Sequence, residues 1–277
     1  MPIINPSETT AILKRHDIHL TKRLGQHFLV DGNVLAKELE AAAITKDDVV
    51  VEIGPGIGTL TEALAARAGR VIAIEFDRRF PPILRETLAE SGNVEIIEAD
   101  AMAVDFAALP ANCLVANLPY NIGTALIVEV LTGAPNIARL AVMVQKEVAA
   151  RLVAAPGSKD YGVLAVTIAC YAIASLTGNV KRTSFLPPPE VDSAIVALTR
   201  LSEPLFGLET PAFIEFVKTV FAMRRKTLAA VLVRSGFSPP AIQDALARAG
   251  VPDRARAETL PPDQLYRIYS GLLRPKS

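Results

Sequence analysis

The feature that most constrains this chain is a glycine-rich turn directly behind an apolar run. Val49-Val50-Val51 leads into Glu52-Ile53-Gly54-Pro55-Gly56-Ile57-Gly58-Thr59-Leu60, which sets three glycines at alternate positions between a β-branched run and a helical pattern. β-Branched residues favour extended backbone. Glycine permits torsions closed to larger residues and lets the chain pass close to a ligand. The reading is a buried strand, a tight loop and a helix. From Asp48 onward the same rhythm returns at Arg70–Glu75, Val94–Glu98, Cys113–Ala116 and Ala138–Val144, with helical spacing between runs, as in Leu60–Ala68. Consecutive parallel strands need crossover connections, so the expected fold class is α/β, a mostly parallel sheet with helices on both faces.

After Ala174 the pattern changes. Ser175–Val180, Phe185–Pro189 and Ser193–Arg200 follow one another without a long helical stretch, which predicts an antiparallel edge on the sheet. Past Leu201–Pro211 strand signals vanish. Phe213, Phe216, Val217, Val220 and Phe221 take the i, i+3, i+4, i+7 spacing of a one-faced helix, and further helix limits are marked by Ser238-Pro239-Pro240, Gly250 and Pro261-Pro262. The expected organisation is a basic N-terminal segment over 1–30, an α/β domain over 31–203 and a small all-α domain over 204–277.

Composition narrows the function classes. Of the 277 residues 51% are hydrophobic and 21% charged, which excludes wholesale disorder. The longest nearly apolar run, Val163–Ala174, falls short of the ~20 residues of a spanning helix, so no membrane partner is expected. Met1-Pro2-Ile3-Ile4-Asn5-Pro6 lacks the basic-then-apolar order of a secretion signal. Cys113 and Cys170 lie far apart, and His16, His19 and His27 have no metal-like spacing. The expectation is a reduced, cytoplasmic protein with no metal site. Net charge is +0, yet residues 1–30 carry +2, residues 31–204 carry −7 and residues 205–277 carry +5. Basic ends of this kind suit phosphate contacts, with Lys22 and Arg23 at one end and Arg224, Arg225 and Lys226 at the other, and Lys146 of the middle segment is a further RNA-binding candidate.

Four positions at strand ends carry the chemistry. A dinucleotide fingerprint would need glycine at position 59, where this chain has Thr59, which argues against a nicotinamide enzyme. Glu75 ends the second run, where a carboxylate can accept both hydroxyls of a ribose, and Asp100 ends the third. Ligands of open α/β sheets bind beyond such carboxyl ends. The fourth run ends in Asn117-Leu118-Pro119-Tyr120. An exocyclic purine amine is a poor nucleophile because its lone pair is delocalised into the ring, so a catalyst must accept its hydrogens and favour pyramidal nitrogen. Asn117 Oδ1 and the Leu118 carbonyl are candidate acceptors, Pro119 stiffens the turn that aims them, and Tyr120 can stack on the base.

With these motifs in place the sequence resembles the small-subunit ribosomal RNA adenine dimethyltransferases, the dimethyladenosine transferase family. The likeness runs through Leu24–Leu29, Val51–Gly58, Ile74-Glu75, Ala99–Ala101, Asn117–Tyr120, Gln145–Val148, Ser184–Ser193 and Phe221–Leu228. It implies a class I, Rossmann-like fold using S-adenosylmethionine and methylating N6 of two adjacent adenosines twice each, in a hairpin loop near the 3′ end of the 16S-type RNA of the 30S subunit. It assigns the cofactor to Gln26, His27, Leu29, Glu52, Gly54, Gly56, Glu75, Asp100 and Asn117, and the base pocket to Asn117, Leu118, Pro119, Tyr120 and Phe185, the last as a second aromatic wall opposite Tyr120. Family members commonly have Asn where this chain has His27, whose imidazole would donate to the cofactor carboxylate. The rival readings are a 23S-type dimethylase of the macrolide-resistance kind, which the basic helical extension disfavours, and a non-catalytic RNA-binding assembly factor, which the intact Asn117–Tyr120 turn disfavours. Nothing in the sequence demands a dimer, so a monomer is expected.

Overall fold

The apolar runs become neighbouring strands in a computed structural model that describes residues 4–18, 26–223 and 225–273. In chain order the elements are α1 (Pro6–Arg15), β1 (Phe28–Leu29), α2 (Gly32–Ala42), β2 (Val49–Ile53), α3 (Thr59–Ala65), β3 (Arg70–Glu75), α4 (Phe80–Thr87), β4 (Val94–Glu98), β5 (Cys113–Asn117), α5 (Gly123–Gly133), β6 (Arg139–Gln145), α6 (Lys146–Leu152), α7 (Val163–Tyr171), β7 (Ala172–Val180), β8 (Phe185–Leu186), β9 (Ser193–Arg200), α8 (Thr210–Phe221), α9 (Leu228–Arg234), α10 (Pro239–Ala249) and α11 (Pro262–Leu273). The main sheet runs β4-β3-β2-β5-β6-β9-β7. Its pairs are parallel from β4 to β6, and β9 lies antiparallel to β6 in the register Met143↔Ile195 and Gln145↔Ser193. The predicted antiparallel edge is therefore present. The chain winds outward from β2 to β4 and then restarts on the other side at β5, so the order reverses between β2 and β5. That reversal opens a crevice at the strands' carboxyl ends, where such sheets bind ligands.

Burial follows from the sequence pattern. Val50, Val51, Val71, Val115 and Ala141 are all 0% exposed, as strands covered on both faces require. Helix α2 starts at Asp31, whose carboxylate accepts from the backbone N–H of Asn33 and Val34, and packs Val34, Leu35, Leu39 and Ala42 into the core. A second, two-stranded sheet pairs β1 with β8 antiparallel, Phe28 opposite Leu186 and Leu29 opposite Phe185. The Ser184 hydroxyl, donating to Asp31 Oδ2 at 2.9 Å, ties the same two segments together.

The chain forms two compact units, one of Met1–Ala149 with Ala174–Arg200 and another of Ala150–Ile173 with Leu201–Ser277. The segment Ala150–Ile173, read from the sequence as part of the 31–203 domain, packs with the C-terminal helices instead. Helix α7 is apolar on all sides, the mark of a buried helix, and its periodicity gives no face to read. In the same unit Tyr161 donates to the Leu260 carbonyl at 2.9 Å and its ring meets Phe221 edge-on at 6.0 Å. Phe206 stacks on Tyr266 at 3.9 Å, with Phe213 edge-on to both. Gly250, at φ 67°, ends α10 in the left-handed cap that favours glycine.

Candidate active site

A cavity of about 340 Å³ lies at the carboxyl ends of β2, β3 and β5 and beside the turn after β4. Gln26, His27, Leu29, Glu52, Gly54, Gly56, Glu75, Asp100 and Asn117, the residues assigned to the cofactor from the sequence, all line it. The volume is in the range of small-ligand pockets. Two glycines make its floor possible. Gly54 and Gly56 have φ of 69° and 59°, and a Cβ on Gly56 would stand 2.9 Å from Phe28 Cε1.

Two buried carboxylates, Glu52 and Glu75, line this cavity, and a third, Glu38, lies behind it against Glu52. Glu75 is 7% exposed and accepts from the backbone N–H of Gly56 at 3.1 Å and of Asp77 at 2.8 Å. Burial raises its pKa, against the opposing pull of those two N–H groups. Glu52 is 2% exposed, and its Oε2 has no hydrogen-bond partner. Burial pushes this carboxyl to about 8, with the Thr61 hydroxyl opposing the rise and the charge of Glu75 adding to it. A buried acceptor without a donor is costly in a folded protein and is satisfied when a donor arrives. Glu38, from α2, is 0% exposed and held well above the ordinary carboxylate range by burial and by Glu52. With its amide nitrogen turned toward α2, Asn117 Nδ2 donates to Glu38 Oε1 at 2.9 Å and Oε2 at 3.1 Å.

The remaining expected residues divide. Asp100 caps a short 3₁₀ turn through Met102 N–H at 2.9 Å and faces the cavity. Gln26 Nε2 donates to Asp77 Oδ2 at 2.8 Å. His27 Nδ1 lies 2.7 Å from the Pro187 carbonyl, which only accepts, so this nitrogen carries the hydrogen and the neutral ring offers Nε2 as an acceptor. Pro119 lines the cavity and Leu118 is buried at 3%, its N–H bound to the Met143 carbonyl at 3.1 Å. Tyr120 is pinned by a 2.7 Å hydrogen bond between its hydroxyl and Ser193 Oγ, and its ring stands 6.0 Å from that of His27 at 28°.

Phe185 departs from expectation. It is 5% exposed and belongs to the core cluster with Leu29, Leu35, Met143 and Ile195, so it is no open wall opposite Tyr120. Its pairing with Leu29 across β1 and β8 turns the ring inward. The aromatic ring beside Tyr120 is that of His27. Among the basic residues, Lys146, Arg225 and Lys226 are exposed, and Lys22, Arg23 and Arg224 lie outside the described residues. Sequence reasoning missed Phe76, which lines the cavity at 64% exposure. The available signal was an aromatic residue one step past a strand-ending carboxylate. It also missed Glu38, whose signal was a carboxylate within the apolar stripe of α2.

The sequence profile described as ribosomal RNA adenine dimethylase matches residues 18–273. The ribosomal RNA small subunit methyltransferase A of Moorella thermoacetica is 42% identical, over 98% of this chain and 98% of its own length, and that of Geobacillus thermodenitrificans is 41% identical over 98% and 97%. A dimethyladenosine transferase from Plasmodium falciparum superposes with a TM-score of 0.79 at 27% identity, covering 87% of this chain and 96% of that one. The 23S rRNA methyltransferase ErmE superposes with a TM-score of 0.73 at 32% identity, covering 89% and 100%. The fold is that of class I S-adenosylmethionine-dependent methyltransferases, and the chain belongs to the ribosomal RNA adenine dimethylase family.

Proposed function

We propose that this protein transfers methyl groups from S-adenosylmethionine to N6 of two adjacent adenosines in a hairpin loop near the 3′ end of small-subunit ribosomal RNA, acting as a monomer on 30S particles in the cytoplasm. The observation that carries the reading is the placement of Asn117 and Pro119 on the same cavity as Glu52, Glu75 and Asp100. The cofactor supplies an electrophilic methyl on a sulfonium. The residues present fit it. The unpartnered Glu52 Oε2 suits its ammonium, Glu75 its ribose hydroxyls, and Asp100 its adenine amine, while Phe76 offers a face for that ring.

On the substrate side, Asn117 Oδ1 and the Leu118 carbonyl accept the hydrogens of the adenine amine, which pulls electron density toward nitrogen and aligns its lone pair. Pro119 fixes the turn, and Tyr120, held by Ser193, supports the base. The proton leaves after the methyl is transferred, so no strong general base is needed. The base must first leave its stack, at a cost of a few kcal/mol that is smaller in a loop than in a duplex. Exposed Lys146, Arg225 and Lys226, together with Lys22, Arg23 and Arg224, serve phosphate contacts that position the RNA without reading its sequence.

The test is nucleoside mass spectrometry after incubating purified, undermethylated 30S and 50S particles with the protein and labelled cofactor. Dimethyladenosine in 30S RNA is expected. Label in the 50S RNA alone would move the assignment to the 23S-type activity of the ErmE kind, and cofactor binding without label in either would indicate a non-catalytic assembly factor.

A further inference from the structure

Helix α2 sends one carboxylate into the core. Val34, Leu35, Leu39 and Ala42 make its apolar stripe, and Glu38 occupies the same stripe at 0% exposure. Leucine would suit that position without the cost of desolvating a carboxylate. What a leucine cannot do is hold the Asn117 amide, which, with its nitrogen turned toward α2, sets Nδ2 2.9 and 3.1 Å from the two Glu38 oxygens.

An amide has chemically opposite ends. The adenine amine donates hydrogens, so it can be received by Oδ1 alone, whereas Nδ2 turned to the cavity would set N–H against N–H. We infer that Glu38 is a positioning residue for methyl transfer, its carboxylate binding Asn117 Nδ2 and so turning Oδ1 toward the substrate amine. This rests on the adenine-methylation reading above. An ionised carboxylate only accepts and therefore selects this orientation. The neutral acid can donate its O–H to Oδ1 and admits the reverse one. Turnover accordingly rises with pH as Glu38 loses its proton. Glu52 from β2, which is titratable, and Asn117 from β5 both face Glu38, while α3, β6 and β9 bring the apolar Leu60, Met143 and Ile195 to the core cluster that receives Val34, Leu35, Leu39 and Ala42 of α2.

The test compares Glu38→Leu and Glu38→Gln with wild type in the full chain, on undermethylated 30S particles, with thermal melts and titration by S-adenosylhomocysteine alongside. Glu38→Leu should lower kcat about tenfold or more, the scale of a misaimed catalytic group. Its KM values and S-adenosylhomocysteine affinity should stay within about twofold, with Tm unchanged or higher, because an apolar side chain replaces a buried charge. Glu38→Gln keeps an acceptor oxygen and should hold kcat within about threefold while abolishing the rise with pH. In protein labelled with ¹⁵N-asparagine, the Asn117 side-chain amide signal should move with pH in wild type and stay fixed in Glu38→Gln. Wild-type kcat in Glu38→Leu, or an unchanged pH profile and amide signal in Glu38→Gln, overturns the proposal alone. Should Glu38→Leu fail to fold, the Glu38→Gln profile decides. Absence of dimethyladenosine with wild-type protein overturns the functional reading and this proposal together.

Discussion

The two ends of one sheet treat buried carboxylates in opposite ways. At the amino end, Asp48 precedes β2 and accepts from Thr45 N–H at 2.7 Å, Thr45 Oγ1 at 3.1 Å, Asn112 Nδ2 at 2.9 Å and Arg139 at 2.5 Å. Burial works to raise its pKa, but these hydrogen bonds prevail and hold it below the ordinary value. At the carboxyl end of the same strand, Glu52 is raised to about 8 and one of its oxygens has no partner. A satisfied carboxylate contributes to folding. An unsatisfied one is retained for what it receives, and that difference locates the working end of the sheet without reference to any ligand.

Substitutions at the two ends should therefore separate activity from stability. The largest effect is expected from Asn117→Ala, which removes the proposed acceptor for the adenine amine. It should lower kcat by about 10²–10³, the usual scale for such a group, while a filter-binding assay finds RNA affinity unchanged. RNA affinity falling with kcat would reassign Asn117 to binding. At the other end Asp48→Ala should leave kcat alone and cost about 2–3 kcal/mol in urea unfolding, since it strands the Thr45 N–H and the partly exposed Arg139. An unchanged unfolding midpoint would erase the contrast between the ends.

Titration offers a gentler separation, and the signs oppose. The Glu52 carboxyl is raised from 4.5 to about 8, so the native state holds its proton where the unfolded chain has lost it. Its stabilising contribution is full below pH 4.5 and disappears as pH rises through about 8. Asp48 is lowered from 3.8, so its contribution is present above that pH and disappears as pH falls through the lower folded value. Glu52→Gln should flatten the alkaline loss of Tm and leave the acid limb in place. The same variant should bind S-adenosylhomocysteine about tenfold more weakly, the worth of one charged hydrogen bond, and lose the gain in affinity that wild type shows as pH rises toward 8. A pH-independent wild-type affinity would sever Glu52 from the ligand's ammonium. The smallest effect belongs to Ser193→Ala, which frees the Tyr120 hydroxyl. A rise of about threefold in KM for RNA, with little change in Tm, is expected from one lost hydrogen bond.

Much of this site was legible because its parts are local. The run Val49–Ile53 and the glycine turn lie in one stretch of sequence, and Glu75, Asp100 and Asn117 each follow a recognisable run. The strand bounds differ from expectation by a residue at Asn117 and at Arg139–Gln145, and by three at β7, which starts at Ala172 and not Ser175, and at β8, which ends at Leu186 and not Pro189. What escaped depends on distant pairing. The inward turn of Phe185 is set by Leu29, far earlier in the chain, and a phenylalanine before a proline run carries no mark of which way it faces. Glu38 is misleading in another sense, because a lone carboxylate in a helix usually belongs to a solvated face. Ala150–Ile173 joins the helical unit because α7 has no polar face to betray its surroundings.

The most direct trial of the central claim is a structure of the protein with S-adenosylhomocysteine and an RNA hairpin carrying the target adenosines. The expected result is an extruded adenine whose N6 lies about 3 Å from Asn117 Oδ1 and from the Leu118 carbonyl, with Asn117 Nδ2 on Glu38 and the cofactor ammonium on Glu52. An adenine bound away from the end of β5, or N6 meeting Asn117 Nδ2, would contradict it.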